Sequence, residues 1–127
     1  IMREIKFRGK RLDNGEWVVG SYIEAENRDR SIAHQIIPYK AGLVVREVDP
    51  ATVGQYTGLK DKNGREIYEE DILLDESGVY AVVYYSMGTF CVDFGEGFEL
   101  QYFTDGIHEI CEVVGNIHDD PELLKTE

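Results

Sequence analysis

Few residue sets in this chain have types and spacing that could do chemistry. Asp61, Asn63, Gly64 and Glu70 fall at positions three, five, six and twelve of a calcium loop aligned on its glycine. Such a loop grips its ion through side-chain oxygens, and position one is Leu59, which has none; no flanking helices are expected either. A hairpin turn rich in Asp and Asn accounts for the same residues. His108 and Cys111 have the spacing of some zinc pairs, but on a strand positions i and i+3 face opposite ways, so no shared metal is expected. Gly95-Glu96-Gly97 starts like a dinucleotide loop, yet the third glycine would fall at Leu100 and no βαβ pattern surrounds it. His34 stands apart from the other two histidines, and His118-Asp119-Asp120, just before a proline, suits capping better than catalysis. Glu69-Glu70-Asp71, the densest acidic cluster, reads as solvated charge. The P-loop, H-E-x-x-H and G-x-S-x-G patterns are absent. The expectation is a protein that is not an enzyme, with no catalytic, cofactor-binding or metal-binding residues.

The elements that would position any site are strands. Ile5 and Phe7 alternate with Lys6 and Arg8 at period two, the pattern of a strand with one buried face. Asp13-Asn14-Gly15 is a turn whose glycine accepts positive φ, and Trp17–Ile23 resumes as strand, so the pair predicts a β-hairpin. Ala25–Ser31 reads as a surface loop, and His34–Tyr39 and Gly42–Val48 as short strands. Asp49-Pro50-Ala51-Thr52 offers a cap and an N1 proline for one helical turn. After the strand 54–58 and the turn 61–64, the segments 72–75, 79–86, 89–94, 98–103 and 107–118 read as strands punctuated by glycines. That spacing predicts an antiparallel sandwich or small barrel, and Asp120-Pro121-Glu122-Leu123-Leu124 predicts a short C-terminal helix. The fold class expected is mainly β: an N-terminal β-hairpin subdomain, about 1–65, packed on a small C-terminal SH3-like barrel, about 66–127, within one domain spanning 1–127.

Charge narrows the partners. The 127 residues carry 13 Lys/Arg against 25 Asp/Glu, a net charge of −12, which argues against a direct nucleic-acid binder and against an anionic membrane surface. Aromatic residues at 11% argue against disorder. The charge is uneven: residues 1–60 hold ten basic and eight acidic residues, residues 61–127 three and seventeen. Either the two halves neutralise each other within a subunit, or a basic edge of one copy meets an acidic face of the next. The second possibility makes Arg3, Ile5, Lys6, Phe7, Arg8 and Trp17 the candidate homo-oligomer interface, with apolar alternates forming its dry part and basic ones its orientation. Cys91 and Cys111 read as small buried hydrophobes of a reducing compartment. Without an apolar run of membrane-spanning length or a signal peptide, and with Met2 read as the initiator, a cytoplasmic location is expected.

Two stretches are more specific. Val48–Ile72, with its block Gly54-Gln55-Tyr56-Thr57-Gly58-Leu59-Lys60-Asp61-Lys62-Asn63-Gly64, and Val113–Leu124 resemble the YopX-like family of phage and prophage proteins; Arg3–Gly9 resembles that family's start. The resemblance spans Met2 to Leu124 and implies a mostly β protein with a C-terminal barrel and a tendency to self-associate, from a phage or prophage in a bacterial cell. It implies no activity and supplies no functional residues. Where the family reads E-G-D-I, this chain has Glu69-Glu70-Asp71-Ile72, so a glutamate takes the glycine's place in the turn. Within the block, Gly54, Gly58 and Gly64 are expected at positive φ or close backbone approach, Tyr56 and Tyr68 in the core with a polar tip, and Asp71 as a turn cap. The function expected is that of a non-enzymatic, acidic, self-associating module that binds a host or phage protein; the alternative is a nucleic-acid mimic that occupies a basic host protein.

Overall fold

Glycine-punctuated β-strands build this protein, as the spacing predicts: a computed structural model, describing residues 3–40 and 44–125, contains eleven strands and four short 3-10 segments. The chain divides into two compact units, Ile1–Tyr56 and Thr57–Glu127. Among the described residues no helix is long and apolar enough to cross a membrane.

In the first unit, β1 (Phe7–Lys10), β2 (Trp17–Glu26), β3 (Ile32–Pro38), β4 (Arg46–Glu47) and the start of β5 (Gly54–Lys60) form an antiparallel sheet in the order β4-β3-β2-β1-β5. The predicted hairpin is present, with Lys10 opposite Trp17 and Gly15 at φ 72° in the connecting turn. β2 continues to Glu26, so the expected 25–31 loop shrinks to a turn in which Asn27 N–H donates to Ser31 O at 2.8 Å. Residues 42 and 43 of the expected Gly42–Val48 strand lie outside the described residues, and of the remainder only Arg46–Glu47 pairs as a strand. A 3-10 turn occupies Pro50–Thr52, capped by Asp49, whose side chain accepts from Ala51 N–H. At Gly20 the chains approach so closely that a Cβ would run into the Ile37 carbonyl.

In the second unit, β7 (Asp71–Leu74), β8 (Tyr80–Ser86), β9 (Thr89–Asp93), β10 (Gln101–Tyr102) and β11 (Glu112–Asn116) form an antiparallel sheet ordered β10-β9-β8-β7-β11; β6 (Glu66–Tyr68) pairs with β5. Among the described residues the ladder is open, with β10 and β11 at its two edges. Met87 and Gly88, both at positive φ, make the two-residue turn of the β8–β9 hairpin, a backbone whose twist matches that of the strands. Leu73, Ala81, Val83, Val92 and Val113 bury one face of this sheet together with Ile67, Phe103, Ile107 and Cys111. Ile67, Leu73, Val83 and Val92 are wholly inaccessible, and each such side chain contributes about 1.5–3 kcal/mol. Ile72, Val82 and Cys91 alternate with them and are also buried, so the central strands are covered on both faces.

The expected strands 98–103 and 107–118 are shorter than predicted. Phe103–Asp105 and Ile107–Glu109 are 3-10 segments joined at Gly106, which stands at φ 77°. Phe103, Ile107 and Cys111 recur every four residues, a helical spacing that directs all three into the core. The short C-terminal helix is the 3-10 segment Pro121–Leu124.

Candidate functional site

Chemistry-bearing residues serve the backbone first. Asp61 is 6% exposed, and its carboxylate accepts three main-chain N–H groups: Asn63 at 2.9 Å and Arg65 at 2.8 Å on Oδ1, and Val113 at 2.8 Å on Oδ2. Burial alone would raise its pKa; the donors from Val113, Arg65 and Asn63, with the Arg65 charge, outweigh burial and hold it below the ordinary carboxylate range. The near-miss calcium loop is therefore a hairpin turn tied to β11. Asp71 is buried, and its Oδ2 accepts the Tyr68 N–H at 2.7 Å, which caps the turn into β7. Gly58 and Gly64 stand at φ 87° and 85°, and Tyr56 and Tyr68 are buried.

Glu70, which stands where the resemblance implies a glycine, has a distinct conformation. Glu70 lies at φ 69°, the left-handed region that glycine enters without steric cost. Two main-chain bonds hold it there, Glu70 N–H to Val83 O at 2.8 Å and Ile117 N–H to Glu70 O at 3.0 Å. Its carboxylate meets His118 Nε2 at 3.1 Å, so the turn and the C-terminal segment are joined by side chains 48 residues apart. His108 lies in a 3-10 segment, so the strand geometry expected for it and Cys111 does not apply. Among the described residues no group of three or more His, Cys, Asp or Glu side chains could hold a metal ion. Burial pushes the Cys111 thiol up to about 11, and neighbouring acids add to it.

One cluster was not legible beforehand. Tyr22, Glu24 and His34 meet because β2 and β3 place Glu24 opposite His34. Tyr22 OH donates to Glu24 Oε1 at 3.0 Å and lies 2.5 Å from His34 Nδ1. Burial, with Glu24, pushes the Tyr22 phenol up to about 12. Through these contacts the phenol ties β2 to β3.

The candidate interface residues separate into two groups. Lys6 is 7% exposed, pairs with Glu4 at 2.9 Å and stands over the rings of Tyr39 and Tyr56. Ile5, expected on the apolar face, is 55% exposed. The buried Lys6 stem with its aromatic partners inverts the simple alternation. Phe7 packs on Tyr22 with ring centroids 5.6 Å apart. Arg8 and Lys10 both lie over the Trp17 ring, at 4.8 Å and 5.4 Å. Arg11 forms a bidentate pair with Asp13. Arg3 and Ile5 remain exposed beside this cation–aromatic face.

The fold thus defines an all-β protein of antiparallel sheets. A family model described as YopX protein matches residues 6–125, and the chain belongs to that family. It is similar to protein EF1440 from Enterococcus faecalis, known from a crystal structure, with 26% identity and a TM-score of 0.62 over 98% of this chain and 100% of that one. No curated protein matches.

Proposed function

We propose that this is a non-enzymatic protein-binding module that associates with itself, a phage or prophage product acting in the bacterial cytoplasm. The observation that carries the reading is the uneven charge of the two units, the first near neutral with a basic first strand and the second strongly acidic. Ile1–Tyr56 contains nine Lys/Arg and eight Asp/Glu, whereas Thr57–Glu127 contains four and seventeen. Both expose large apolar side chains, Ile5, Leu12 and Tyr39 on the first, Tyr85, Met87 and Phe98 on the second. Unlike charges orient an encounter and apolar side chains at its centre supply affinity. Arg3, Ile5 and the Arg8–Trp17 face are the contact residues on the basic side; Lys6, being buried, supports that surface from beneath. Light scattering tests the reading: the wild type exceeds 14.5 kDa at micromolar concentration, and Arg3→Glu combined with Ile5→Ser reduces the mass. A wild type that stays monomeric at hundreds of micromolar overturns it.

A second reading, mimicry of a nucleic acid, draws on one observation: from Glu66 to Leu124 the sequence contains no Lys or Arg. It requires a basic partner that is released at high salt, whereas an apolar interface resists salt.

A further inference from the structure

Gly95-Glu96-Gly97 fits no nucleotide loop, but it has a structural consequence in the second unit. Gly95 and Gly97 stand at φ 101° and 90°, conformations that side chains resist. Phe98 N–H donates to Gly95 O at 3.2 Å, and Gly95 N–H to Asp93 Oδ1 at 2.8 Å. This tight turn returns Phe98 onto Phe94, with ring centroids 6.4 Å apart and planes inclined at 54°. The aromatic pair is the shared wall of two hollows. One, of about 680 Å³, is lined by Val79, Tyr80, Val82, Leu123 and Leu124 as well; the other, of about 290 Å³, adds Ile107 and Ile110. Together they have the size and apolar lining of a ligand site, and Phe98 is 61% exposed at its rim.

The charge around them is one-sided. Asp93 and Glu96 line the larger hollow and Asp75 the smaller, and among the described residues lining them Lys125 is the one cation. The 59 residues from Glu66 to Leu124 contain fifteen Asp/Glu and no Lys/Arg. We propose that the paired hollows dock a cationic segment of another protein, one presenting apolar or aromatic anchors between lysines or arginines. This rests on the protein-binding reading above and gives it a place and a partner chemistry. The anchors enter the hollows on either side of the Phe94–Phe98 pair, and the cations meet the carboxylates around them. A second copy, meeting these hollows with its Arg8–Trp17 face, is the alternative occupant that the test separates from another protein.

The test is fluorescence anisotropy with a labelled peptide alternating lysine with phenylalanine and leucine. A peptide of the same length and charge with serine at the apolar positions is the control. The first peptide binds saturably, and the serine peptide binds at least about tenfold more weakly, the loss expected when anchors are removed. Phe98→Ser weakens the first peptide by about tenfold without lowering the melting temperature, since that side chain is largely exposed. Glu96→Lys weakens it as well and flattens its salt dependence. Equal affinity for both peptides, or a Phe98→Ser protein that binds as the wild type does, overturns the proposal. So does loss of self-association in Phe98→Ser with peptide binding intact, which assigns the hollows to a second copy. A monomeric wild type that still binds the peptide sinks self-association alone, and an oligomer that ignores the peptide sinks this site alone.

Discussion

Removing the Asp61 carboxylate is the sharpest test of how the second unit is held together. Asp61 joins the 61–65 turn to β11 through three main-chain N–H donors at 2.8–2.9 Å, one of them 52 residues distant. Hydrogen bonds to a charged acceptor are worth about 1.5–3 kcal/mol each, and a buried donor left unsatisfied costs about 1–3 kcal/mol. Asp61→Asn keeps an oxygen for Asn63 and Arg65 but turns an amide NH₂ toward the Val113 N–H, so the expected loss is about 2–3 kcal/mol. Asp61→Ala removes all three acceptors, and about 3–5 kcal/mol is expected, the size of loss that accompanies a broken buried network. Urea unfolding at neutral pH, followed by circular dichroism, measures both. The pH dependence follows from the depressed pKa of this group. Its contribution is complete above the unfolded-state value of about 3.9 and disappears as pH falls through the lower folded value. The gap between wild type and Asp61→Asn is therefore constant from pH 5 to 8 and closes under stronger acid. An Asp61→Asn protein as stable as the wild type at pH 7, or a gap that widens in acid, would refute the reasoning.

The left-handed backbone at Glu70 predicts that Glu70→Gly is more stable than Glu70→Ala by about 1 kcal/mol, the reverse of their order in ordinary strand or helix; thermal melts of the two check this. Gly20→Ala, whose Cβ would meet the Ile37 carbonyl, is expected to lose at least about 2 kcal/mol in the same assay, and a melt unchanged from wild type would show that β2 and β3 shift apart freely. Cys91 and Cys111 are buried with raised pKa values, so a thiol reagent at pH 8 should label neither until denaturant is added; rapid labelling of the native protein contradicts their placement.

What the sequence by itself determined is what the backbone decides over a few residues. The all-β class, the 13–15 turn, the short helical turns after Asp49 and Asp120 and the Asp/Asn-rich hairpin at 61–64 follow from glycine at positive φ, proline at N1 and period-two alternation. The family block was legible for the same reason, since its glycines and caps are local devices. Tertiary structure decided the rest. Ile5 and Lys6 read as out and in only once Tyr39 and Tyr56 supply rings for the ammonium. Phe103, Ile107 and Cys111 show a spacing of four that strand-like composition masked, and the core they fill selects the 3-10 turns. Asp61 and Val113, Glu70 and His118, and Glu24 and His34 find each other through strand pairing and chain return, and Phe94 and Phe98 become one aromatic wall because the glycines between them fold back. Each of these depends on a partner set by register or long-range packing, and neither is written in the period of a single segment.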